Sequence, residues 1–92
     1  MTNKEKYDNV YIECFMIKQT QLNDEFKYQS IPEWDSVGHM GLIAGLEEAF
    51  EIMLEMDDII EFSSYKQGVD ILAKYEIEIE YIWIYSNSWG NE

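Results

Sequence analysis

Arginine is missing from these 92 residues, and six lysines face 19 aspartates and glutamates, a formal net charge of −13. A surface this negative repels phosphate backbones and anionic lipid headgroups. Without the planar guanidinium it also lacks the usual bidentate phosphate reader, which argues against nucleic-acid and membrane-surface roles. Partners are expected to be basic proteins. Cysteine occurs once, at Cys14, so no intramolecular disulfide can form and a reducing, cytoplasmic setting is expected. One proline and five glycines leave no linker-like stretch to divide the chain. No run approaches the ~18 apolar residues of a bilayer span, and the opening Met1-Thr2-Asn3-Lys4 leads into no apolar segment, so neither anchor nor leader is expected. What is present is a core: 47% apolar and 15% aromatic residues are too many for a disordered acidic tail and suit one small domain.

Helical periodicity accounts for most of that apolar content. Tyr7, Val10, Tyr11, Cys14 and Phe15, continued by the stem of Lys18, predict a first helix from Glu5 to about Thr20, with Ile12 and Met16 left over on its other side. Residues 20–34 have no clean period and read as a long loop pinned by Leu22, Phe26, Tyr28, Ile31 and Trp34. Asp35 or Ser36 caps a second helix to about Met53. Its core arc is His39, Leu42, Ile43, Leu46, Ala49, Phe50 and Met53; its outer arc carries Val37, Met40, Gly41 and Ala44, then Glu47, Glu48 and Glu51. Asp57 and Asp58 cap a short third helix to Phe62. Ser64 to Gln67 is a capping box for a fourth, whose buried stripe is Tyr65, Val69, Leu72 and Ala73. The expected fold is an all-α four-helix bundle, three longer helices plus a short third, over residues 1–75. Residues 76–92 form an aromatic and acidic tail that is not a separate domain. Its Tyr75–Tyr85 stretch fits a strand or a helix by period and must fold back on Ile12 and Met16, continue as helix or pair with another chain.

Ser36 is the one hydroxyl placed where chemistry is easy. A phosphate esterified there would meet the free N–H groups and positive dipole end of the second helix, although Asp-Ser before an apolar run is also an ordinary N-cap. The wider stretch decides between them. Trp34-Asp35-Ser36-Val37-Gly38-His39-Met40, followed by Leu46-Glu47-Glu48-Ala49-Phe50-Glu51-Ile52, resembles the acyl carrier protein family, in which Asp-Ser-Leu or Asp-Ser-Val opens the second helix and Leu-Glu-Glu-x-Phe-x-Ile follows. The likeness spans roughly residues 30–75 and continues through Asp57, Asp58, Ile59 and Ile60 to Ile71-Leu72. It implies that Ser36 carries 4′-phosphopantetheine derived from coenzyme A, with Asp35, Val37 and His39 around the attachment point. The arm's thiol would hold an acyl or aminoacyl group as a thioester and pass it between enzymes; the chain itself would not be an enzyme. Val37, Met40, Ala44, Glu47, Glu48, Glu51, Asp57 and Asp58 correspond to the surface that partners recognise. Those partners would be a phosphopantetheinyl transferase, an adenylate-forming ligase or acyltransferase, and condensing or transferase enzymes of fatty-acid or polyketide-like biosynthesis. Gly38 and Gly41 stand where fatty-acid carriers usually show acidic residues, and Trp-Asp-Ser-x-x-His resembles stand-alone carriers of specialised pathways.

Other candidates weigh less. His39 follows Ser36 by three residues, but with no nucleophile elbow and no orienting third group it reads as a core or pocket-edge histidine, with a contact to the arm or cargo as its functional alternative. Glu55, Asp57, Asp58 and Glu61 lack the ligand spacing of a calcium loop and read as a solvated face, so no metal is expected. Cys14 reads as a core thiol. Against the carrier stands an unmodified acidic interaction module that binds a basic partner or self-associates through the tail; a monomer is expected of the carrier. Either reading uses the same charge address, because no lysine lies between Lys27 and Lys66 while nine carboxylates do.

Overall fold

The computed structural model describes residues 2–79. Thr2 starts the first helix, α1 (Asn3–Phe15): its hydroxyl accepts from the Glu5 amide and the Glu5 carboxylate accepts from the Thr2 amide, a complete capping box. α2 (Ser36–Phe50), α3 (Met56–Glu61) and α4 (Tyr65–Ala73) follow, so the described residues form an all-α domain of four α-helices, the third a short one, with one 3-10 turn at Gln19–Gln21 and no β-strand among them. The bounds of two helices are shorter than their periods predict. α1 stops at Phe15 because Met16 turns into the left-handed region (φ 57°), which leaves Met16 89% exposed and takes Lys18 off the helical stripe. α2 stops at Phe50 because Glu51 does the same (φ 56°), so Met53 lies outside the helix and is exposed rather than in the core.

Rings dominate the packing. Tyr7, Tyr11 and Phe15 from α1 meet Tyr65 of α4 and Phe26 and Trp34 of the long loop, with centroids 5.0–6.2 Å apart in edge and tilted arrangements and, for Phe15 on Trp34, a stacked one. Leu42, Ile43 and Leu46 of α2 and Val69 and Leu72 of α4 complete the core. The loop is pinned as its aromatics predict, and its backbone is tied too: Tyr28 N–H donates to Ser63 O and Tyr65 N–H to Phe26 O. α1 and α2 run antiparallel. Lys6 lies over the Phe50 ring at one end, and Phe15 approaches Gly38 at the other.

Under the rings lies a polar network no period revealed. Asp8 is 2% exposed, and its carboxylate accepts from Lys4 Nζ, Gln19 Nε2 and the Tyr65 hydroxyl at 2.5–2.6 Å. Tyr7 donates to Tyr65 O and shares a hydrogen bond with the Tyr11 hydroxyl. Burial pushes the Tyr7, Tyr11 and Tyr65 phenols above their ordinary value; for Tyr65 the Asp8 carboxylate adds to the shift. Ser64 caps α4 by accepting from the Gln67 amide, while Ala73 is exposed rather than part of the buried stripe. After α4 the chain turns at Glu76 and buries Ile77 and Ile79, and Glu78 O accepts from Asn3 Nδ2 at the start of α1. The tail therefore returns to α1 at Asn3, with no regular structure over 77–79; its predicted strand or helix beyond Ile79 lies outside the described residues.

Candidate functional site

Two adjacent residues at the head of α2 divide their duties. Asp35 has extended backbone and accepts from the Gly38 amide at 2.8 Å, which makes it the N-cap. Ser36 is then the first helical residue, exposed, and its hydroxyl has no partner among the described residues. The ordinary-cap explanation of Asp-Ser is satisfied by the aspartate alone. The serine is left at the positive end of a 15-residue helix with no structural task.

An apolar cleft of about 420 Å³ opens beside this hydroxyl. Met40 and His39 of α2 form one wall, Met56, Ile59 and Ile60 of α3 the other, and Tyr28, Phe62 and Ser63 the base. Met40, Met56 and Ile60, which line it, are all more than half exposed, an apolar surface of the kind that marks a binding site.

His39, on the α2 wall, is held from both sides. Nδ1 accepts from Trp34 Nε1 at 3.0 Å, and Nε2 lies 2.9 Å from Ile59 O, where it must donate because a carbonyl cannot. Both bonds form together only in the neutral Nε2–H tautomer. With both nitrogens occupied, His39 joins the long loop to α3 and presents ring surface to the cleft. The pocket-edge reading fits, and nothing places the imidazole on the Ser36 hydroxyl.

The expected partner surface divides. Val37, Met40, Ala44, Glu48, Glu51 and Asp57 are exposed. Glu47 is half-buried because its carboxylate accepts from the Leu54 amide and closes the α2–α3 turn. Asp58 is a correction: it neither caps α3, whose N-cap is Glu55, nor faces solvent. It is 7% exposed and accepts from Lys74 Nζ at 2.5 Å and the Tyr75 hydroxyl at 2.6 Å. Lys74 and then Tyr75 hold its carboxyl below the usual carboxylate range. Reading Glu55, Asp57, Asp58 and Glu61 as one solvated face therefore fails at Asp58. Among the described residues no group of acidic, histidine or cysteine side chains is spaced to hold a metal ion.

Cys14 is a second correction. It lines an open groove between α1 and α2 with Val10, Gly41 and Gly45, because these glycines leave no side chains to cover it. Burial pushes its thiol up nonetheless. Gly38 explains a departure from the carrier pattern: a Cβ there would lie 1.9 Å from Glu33 O, so no acidic side chain can occupy that position in this loop packing. Asp8, Lys74 and Tyr75 were missed. Lys4 and Asp8 at i, i+4 were the sole sequence signal for Asp8, and nothing local pairs Asp58 with residues 16 and 17 positions away.

No family model, curated protein or solved structure matches this chain.

Proposed function

We propose that the chain is a carrier whose Ser36 hydroxyl takes 4′-phosphopantetheine and presents an acyl or aminoacyl thioester to partner enzymes. The observation that carries this reading is the division of labour at the head of α2: Asp35 caps, and Ser36 stands exposed and unengaged beside an apolar cleft. The residues fit the group. The Ser36 and Val37 amides have no partner among the described residues and point from a helix start, where a phosphodiester is favoured. The cleft walled by Met40 and Ile60 offers apolar cover close to the attachment atom. When bound, the group supplies a thiol for thioester exchange. The chain's own residues position it and exclude water from one side, while the exposed carboxylates of Glu48 and Glu51, at the far end of α2, and of Asp57 on α3 attract basic partners. A tethered cargo gains local concentration at each active site.

The exposed apolar patch of Met40, Met56 and Ile60 also favours a second reading, an unmodified acidic module that docks a basic partner through the same surface. Incubation with coenzyme A and a broad-specificity phosphopantetheinyl transferase, followed by intact mass measurement, separates the two. The carrier gains one phosphopantetheinyl group and Ser36→Ala gains none. No gain in the wild type, or an equal gain in the variant, overturns the carrier reading.

A further inference from the structure

α3 forms one wall of the cleft beside Ser36, yet it has little apolar hold on the domain. It is six residues long, its N-cap has no side-chain hydrogen bond, and Met56 and Ile60 point outward; Ile59 alone is partly buried against the core. Buried Leu54 precedes it and buried Phe62 follows it, so the helix lies between two fixed pins. Polar contacts hold what lies between. Asp58 accepts from Lys74 and Tyr75 at the end of α4, the Tyr75 hydroxyl also accepts from the Glu55 amide at 2.9 Å, and His39 donates to Ile59 O on the cleft side.

We propose that Asp58, Lys74 and Tyr75 form a latch that fixes α3 from behind and so sets the width of the cleft beside Ser36. Tyr75 is its centre, because one hydroxyl serves both the first backbone amide of the α3 region and the buried carboxylate. Releasing these bonds lets α3 swing between Leu54 and Phe62 and widens the cleft, with the aromatic core untouched. Segments with few buried apolar contacts open below the free energy of global unfolding. As regulation of the site, the proposal rests on the carrier reading: a bulkier group on Ser36 would be admitted at the cost of the latch.

The test is residue-resolved amide hydrogen exchange of the full chain, in wild type, Tyr75→Phe and Asp58→Asn, with Nile red as a neutral probe of apolar exposure. Expected are at least about tenfold faster exchange of the Ile59, Ile60 and Glu61 amides, unchanged exchange in the middle of α1 and α2, and stronger dye binding. Tyr75→Phe keeps the ring and decides the matter should Asp58→Asn fail to fold. Unchanged α3 exchange, or a rise spread equally over all four helices, overturns the latch. Loading of Ser36 is read separately by mass, so a failed carrier reading and a failed latch give different results.

Discussion

The two ends of this domain are held by different forces. Around Tyr7, Tyr11, Trp34 and Tyr65, rings interlock over a fully bonded Asp8, and Gly38 is pressed onto the Glu33 carbonyl. Around α3, a single-turn-and-a-half helix with exposed Met56 and Ile60 is kept in place by a few hydrogen bonds. Close packing resists small displacements, whereas a handful of polar bonds can be exchanged for water. Change is therefore tolerated unequally: ring packing fixes the start of α2, whereas α3 has few buried contacts to lose.

Substitutions at the packed end should break this contrast most. Gly38→Asp, which installs the acidic residue of the resembling family, forces a Cβ into the Glu33 carbonyl and should cost about 3 kcal/mol or more, read as a fall in the urea midpoint. A stable Gly38→Asp protein would show that the loop approach is not a fixed constraint. Asp8→Ala removes the acceptor shared by Lys4, Gln19 and Tyr65 and should cost roughly 2–3 kcal/mol by the same measurement. Smaller again is Trp34→Phe, which deletes the donor to His39 Nδ1 and should cost about 1–2 kcal/mol while leaving α4 exchange unchanged.

The two ends should also fail at opposite extremes of pH. Tyr7, Tyr11 and Tyr65 have phenols raised in the fold, so their contribution is complete below the ordinary value of 10.0 and is lost as pH rises above it. Tyrosinate absorbance should therefore appear together with loss of helical circular dichroism in alkali. Asp58 is lowered in the fold by Lys74 and Tyr75, with Glu55 and Glu61 nearby on its own element. Its contribution is present above the ordinary 3.8 and is lost as pH falls below that value, so α3 exchange should quicken in acid before α1 exchange does. Simultaneous loss of both ends in acid would contradict the distinction.

Much of the packed end was legible. The 3.6-residue spacing of Tyr7, Tyr11 and Phe15 and of Leu42, Ile43 and Leu46 identified two core faces, and Phe26 and Trp34 marked a loop that must be buried. Hydrophobic period overruns the helix ends, to about Thr20 and Met53, because a left-handed turn at Met16 or Glu51 leaves no trace in it. Cys14 was placed in the core by its spacing; its exposure depends on Gly41 and Gly45 across a helix pair, which no single-helix argument contains. The start of α2 at Asp35-Ser36 is legible by motif, and the structure adds that Asp35 alone supplies the cap. Asp58 was illegible for the opposite reason: acidic residues in a row look solvated until a distant lysine and tyrosine turn one of them inward.

Two serines, Ser36 and Ser63, border the same cleft, and only Ser36 stands as the first residue of a long helix. Peptide mapping of the protein after treatment with coenzyme A and a phosphopantetheinyl transferase tells these two serines apart. The phosphopantetheinyl group is expected on the peptide containing Trp34-Asp35-Ser36, with Ser63 unmodified; a group on Ser63, or on no serine at all, would contradict the carrier proposal.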